Sequence, residues 1–255
     1  LRRLLALALI VGALAGAWFY LRPAPKSPSL PLAAGSYFPD AIRAIAYQHQ
    51  ALSLLLRTTP ELSGAVSSRW TAGLTQVLTP QLLAKETQAE IDRLLKPGQK
   101  LACQTIVSQP NLVRLLDALK GPVPAAFTQS VSQLDHVLDG DPAKKAAIHE
   151  LLGLMKHLRA GDVLYSEAAQ AIYSGAEKVP AERKEAFRTK LLPAMARRNE
   201  RTLQAKLVEM PLSMLGWAVE TAKTSEFQIC ENAFSDAFLG VLRRDIQRIT
   251  SGSGS

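Results

Sequence analysis

Apolar positions recur along this chain at steps of three and four over nearly its whole length, which is the repeat of one helical face. Phe38, Ile42, Ile45, His49, Leu52 and Leu56 follow one another by 4, 3, 4, 3 and 4 residues and predict a first helix. Thr59-Pro60 and Thr79-Pro80 repeat one start signal, a hydroxyl that caps free N–H groups followed by a proline whose missing N–H costs nothing there. The helix expected from the first carries Leu62, Val66, Trp70, Leu74 and Val77. The helix from the second carries Leu83, Ile91 and Leu94 and stops at Lys96-Pro97-Gly98.

Gln99 to Ser108 fits both a strand and a helical face, and is read as helix. A short helix from Pro110 to Lys120 ends in Gly121-Pro122-Val123-Pro124, the densest group of breakers and the expected subdomain seam. Phe127, Val131, Leu134 and Leu138 mark the next helix. Asp141 caps another at Pro142, with Ile148, Leu151, Met155 and Leu158 facing inward. Ala160-Gly161-Asp162 is read as a reset, and a further helix runs to Tyr173. One more starts at Pro180 and must kink or break at Pro193, and Pro211 opens the next. Ser225 with Gln228 forms a capping box for the last helix, whose face is Phe227, Cys230, Phe234, Phe238, Val241 and Ile249. No hairpin signal and no long alternating run interrupts the series. The expected fold is all-α, a bundle of about nine or ten helices over residues 37–250.

Two ends fall outside that pattern. Arg2 and Arg3 precede an uncharged stretch from Leu4 to Leu21, 18 residues. At ~1.5 Å per residue it reaches ~27 Å, against a hydrocarbon core of ~30 Å, so it can just span. It closes on Trp18-Phe19-Tyr20, rings suited to a headgroup boundary. Residues 1–21 are therefore expected to be a transmembrane anchor. The rival is a signal peptide cleaved at Ala15-Gly16-Ala17, which would leave an exposed Trp-Phe-Tyr-Leu start. Residues 22–36 carry Pro23, Pro25, Pro28 and Pro31 and no acidic residue, the composition of a semi-rigid polyproline stalk. Residues 251–255, Ser-Gly-Ser-Gly-Ser, have the look of an appended flexible linker.

Composition excludes several classes. At 47% hydrophobic the chain is too apolar for disorder, and two cysteines are too few for a disulfide scaffold. Cys103 and Cys230 lack the short ligand spacing of a zinc site, and the expected state is a bridge between them in an oxidising compartment. His149-Glu150 begins like a zincin motif, but the second histidine would stand at 153, which is Gly153. His149 and His157 are read as partly exposed, and His49 as an inward histidine with one hydrogen bond. A calcium loop counted from Asp139 fails at Ala143 and at Lys144, where glycine is required. No nucleophile elbow or phosphate-cradling glycine loop occurs. No catalytic residue, metal ligand or cofactor is expected.

Net charge is +8, of which residues 37–250 keep +4 once Arg2, Arg3, Arg22 and Lys26 are set aside. The segment from Pro180 to Lys206 alone is +5. Most of it reads as a solvated face of i, i+3 and i+4 pairs. Arg197, Arg198 and Arg201, with only Glu200 nearby in sequence, are the candidate contact for anionic lipid headgroups or an acidic partner. So local an excess, with 6% aromatic residues, disfavours nucleic acid. The pattern points to a single-pass protein of the bacterial inner membrane, held through residues 4–21, with its C-terminal domain in the periplasm. Such a domain is expected to bind another membrane or periplasmic protein without catalysis. The alternatives are a periplasmic carrier of a lipid or small molecule, and an enzyme of unrecognised class.

Overall fold

The helical periodicity is realised throughout the described residues, 39–59, 62, 64–120, 123–124, 127 and 131–251 of a computed structural model. They hold eleven helices and no strand. α1 is Pro39–Thr58, α2 Ala65–Gln76, α3 Pro80–Leu94, α4 Pro97–Val107 and α5 Pro110–Lys120. α6 is Val131–Gly140 and α7 Pro142–Leu154; a 3₁₀ turn at Lys156–Arg159 leads into α8, Ala160–Gly175. α9 runs as Ala181–Ala186, a π turn at Phe187–Leu191, and Leu192–Leu207; α10 is Leu212–Lys223 and α11 Ser225–Ser251. The expected anchor at 4–21 and stalk at 22–36 lie outside the described residues. Among the described residues no helix is long and apolar enough to cross a membrane.

Two of the start signals work as their chemistry dictates. The Thr79 hydroxyl accepts from the Leu82 N–H at 3.2 Å, with Pro80 as the first helical residue. The Asp141 carboxylate accepts from the Lys144 N–H at 3.0 Å ahead of Pro142. The ambiguous stretch after Gln99 is α4.

Two local expectations are corrected. The helix start expected at Pro60 lies outside the described residues, which enter α2 at Ala65. The Thr59 carbonyl accepts from the Leu62 N–H at 3.0 Å, and Gly64, at φ 94°, redirects the chain into α2. That left-handed backbone is open to glycine at no steric cost. The cap of α11 is Thr224, whose hydroxyl accepts from the Phe227 N–H, while the Ser225 hydroxyl turns to Glu226. The chain resets at Met155, not at residues 160–162, which form the first turn of α8. The disturbance expected at Pro193 takes its milder form, and α9 does not break there. A π turn immediately precedes it, the widened turn that accommodates a lost backbone bond, and the helix continues to Leu207.

Gly161, in the first turn of α8, lets that helix lie close against α1. A Cβ at this position would lie 2.5 Å from the Ala44 carbonyl oxygen, so α1 and α8 pack with their backbones nearly touching. Gly161→Ala gains ~1 kcal/mol of helix propensity but forces the two helices apart. We expect a net loss of about 1–3 kcal/mol, read as a lower urea midpoint at unchanged slope.

The buried side chains form two clusters. The first gathers Ile45 and Leu52 of α1, Leu74 of α2, Leu83 and Ile91 of α3, Cys103 of α4, Leu164 of α8, and Phe234 and Phe238 of α11. The second gathers Leu115 of α5, Leu134 of α6, Ile148 and Leu151 of α7, Leu207 of α9, Leu215 and Val219 of α10, and Phe227 of α11. α5 and α6, on either side of residues 121–124, share the second cluster, so the clusters part at the α4–α5 junction. α9 and α11 contribute to both. Residues 34–255 accordingly cluster as one compact unit.

Candidate functional site

Cys103 and Cys230 are bonded, with sulfurs 2.04 Å and Cα atoms 5.7 Å apart across a sequence separation of 127. Both are buried, and the bond fastens α4 to α11. The next residue, Glu231, turns to the opposite partner. One carboxylate oxygen accepts from the His157 backbone N–H at 3.1 Å, and the other meets His157 Nδ1. The pair is fully enclosed, at 0% and 1% exposure, and the imidazole stands edge-on to Phe234. The expectation of a partly exposed His157 is therefore corrected. Helix α7 ends at Leu154, and the 3₁₀ turn rotates His157 inward, whereas His149 stays exposed on α7. His49 Nε2 lies 2.8 Å from the Leu74 carbonyl oxygen. Among the described residues no three His, Cys, Asp or Glu side chains converge as metal ligands.

The three arginines singled out from sequence lie on α9 in different settings. Arg197 and Arg198 are exposed. Arg201 grips Asp135 of α6 with both guanidinium nitrogens, at 3.0 and 3.1 Å, and so fastens α9 to the second cluster. Glu200 pairs with Arg159 at 3.1 Å. Arg201 is thus occupied by a carboxylate 66 residues away.

A cleft that the sequence does not announce, apolar over most of its lining, lies where α1, α8 and α9 meet. It has a volume of about 320 Å³. Its floor is Asp162, whose Oδ1 accepts from Asn199 Nδ2 of α9 and, at 3.5 Å, from Gln48 Nε2 of α1. Gln48 is 5% exposed, and its Oε1 has no hydrogen-bond partner. Tyr165, Ser166 and Gln170 continue the polar wall along α8, while Leu192, Pro193 and Met195 form an apolar wall just past the π turn. A larger groove between α8 and α11, about 460 Å³, is more open to solvent and is crossed by the Arg243–Glu167 pair at 3.5 Å.

Burial pushes the Asp162 carboxyl up to about 6, against the downward pull of the Asn199 hydrogen bond and the Arg159 charge; Glu200 adds to the rise. Burial likewise pushes the Tyr165 hydroxyl up to about 12. For Asp162 the native state holds the proton more tightly than the unfolded chain. Its contribution to stability is present at low pH and is lost as pH rises from about 4 through about 6. Asp162→Asn keeps an oxygen for Asn199 and removes the buried charge. We expect it to raise the urea midpoint at pH 8, by the equivalent of roughly 1–3 kcal/mol, and to leave it unchanged at pH 4.

Sequence reading missed this cleft because Gln48 and Asn199 reach Asp162 from 114 and 37 residues away. The local signals were an acidic residue directly after a helix-packing glycine and a proline inside a helical pattern. No family model, no curated protein and no solved structure matches the chain.

Proposed function

We propose that this chain is a membrane-tethered, extracytoplasmic helical module that acts by binding another membrane or periplasmic protein, without catalysis. The observation that carries the reading is the buried Cys103–Cys230 bond, which fastens α4 to α11, a helix that contributes to both clusters. Structural disulfides of this kind persist outside the reducing cytoplasm. The apolar residues 4–21 supply a tether into the bacterial inner membrane, and the 15-residue proline-rich segment 22–36 extends up to ~45 Å. A tether raises the effective concentration of partners in the same plane. Arg197 and Arg198, exposed on α9, offer cationic contacts to an acidic surface.

The test has two arms. An alkaline phosphatase fused behind residue 250 is expected to be active in cells, and activity confined to a cytoplasm-dependent reporter overturns the compartment. A photo-crosslinking amino acid at position 197 or 198 is expected to give a discrete protein adduct in intact cells. Adduct formation at neither position removes the partner contact from α9.

A further inference from the structure

The cleft at the junction of α1, α8 and α9 is apolar over most of its lining and holds one carboxylate, Asp162. Asp162 Oδ1 is taken by the amides of Asn199 and Gln48, whereas Oδ2 accepts from no described donor. Tyr165 and Ser166 line the same wall. The one cation on the lining, Arg188, is held in a two-pronged pair by Glu185 at 3.0 Å. The other charges near Asp162 are Arg159 and Glu200, which neutralise each other. Opposite the carboxylate, Leu192, Pro193 and Met195 offer an apolar surface of a few side chains.

We infer that this cleft is a binding site for a small primary amine, whose ammonium group bonds Asp162 and whose short apolar tail lies on Leu192, Pro193 and Met195. An ammonium carries three donors and a positive charge, matching a carboxylate with one oxygen left over beside an apolar wall. A volume of about 320 Å³ is at the small end of ligand pockets, which run from ~300 to ~1,000 Å³. That size excludes a diacyl lipid and admits a molecule with a tail of a few carbons. The π turn fits the assignment, since such turns recur at functional sites and this one directly precedes the residues of the apolar wall.

Binding draws on the ionised carboxylate, so it is linked to pH. The ammonium's affinity is full above pH ~7 and falls as Asp162 takes up its proton near 6. The probe is n-pentylamine, titrated calorimetrically into the purified full chain, with 1-pentanol and pentanoate as controls of matched tail. We expect saturable one-to-one binding of pentylamine at pH 7.5 and about tenfold weaker binding at pH 5, with neither control binding. Asp162→Asn, which the preceding arguments expect to fold stably, is expected to abolish binding. Met195→Trp, which fills the apolar side and leaves the acid in place, is expected to weaken it at least tenfold. No binding of pentylamine by the wild-type chain overturns the assignment. So does equal binding of pentanol or pentanoate, or binding that survives Asp162→Asn or is unchanged at pH 5. None of these readouts depends on a protein partner, so their failure is separable from failure of the interaction role.

Discussion

Replacing both Cys103 and Cys230 by alanine is expected to lower the unfolding free energy by about 5 kcal/mol. In the chain-entropy account a cross-link stabilises by restricting the unfolded chain, and the restriction grows with the logarithm of the closed loop. The loop here is long, at a separation of 127 residues. Domains are typically stable by only ~5–15 kcal/mol, so the double variant would lose a third or more of its margin. Alanine is the right replacement because both positions are buried, and serine would strand hydroxyls among Leu83, Ile91 and Phe234. The measurement is urea unfolding of the oxidised wild type, the reduced wild type and the double variant. The two thiol-free or reduced forms should unfold at similarly low urea. A difference below ~1 kcal/mol between oxidised and alanine forms would show that the unfolded chain gains little freedom when the link is cut.

Glu231→Ala is the second large effect, expected to cost about 3–5 kcal/mol. It deletes the carboxylate that meets both the backbone N–H and the Nδ1 of His157, in a place with no exposure to water. The loss therefore includes the desolvation of buried groups as well as the hydrogen bonds themselves. Glu231→Gln, which keeps one acceptor oxygen, is expected to cost less than half as much. The double variant His157→Leu/Glu231→Leu should recover most of the stability, since an enclosed polar couple is often replaceable by apolar side chains of similar volume. Chemical denaturation of the wild type and the three variants at pH 7 measures these differences. If Glu231→Ala costs no more than a surface substitution, then the pair does not hold the 3₁₀ turn against α11.

Much of the fold was legible from residue order because its elements are local. The stripe ending in Ile45, Leu52 and Leu56 is buried as its spacing requires, and Thr79-Pro80 and Asp141-Pro142 start helices by the same cap chemistry. The disulfide was legible only through the oxidising compartment that the N-terminal residues led one to expect, since two buried cysteines can equally stay free thiols. What the sequence hid was set by tertiary contacts. His157 looks like a surface residue on the helical register of His149, until a helix end at Leu154 changes that register. Gly161 looks like a breaker, and its role emerges only from Ala44, 117 positions earlier. Arg201 reads as surplus charge until α6 brings Asp135 beside it. The Asp162 cleft has the same origin: its three polar members come from three helices, and no spacing rule links Gln48, Asp162 and Asn199.

Helix α11 carries a consequence for how the molecule comes into being. Its 27 residues give Phe227 to one cluster and Phe234, Phe238, Val241 and Ile249 to the other. Neither cluster is complete before it emerges, although α1 through α10 precede it in the chain. The pairings of α11 with α2 and α3 join segments far apart in the chain, and non-local contacts of this kind are slow to form. Docking of this one helix therefore closes both clusters together, and the sulfur bond to Cys103 holds it where it lands.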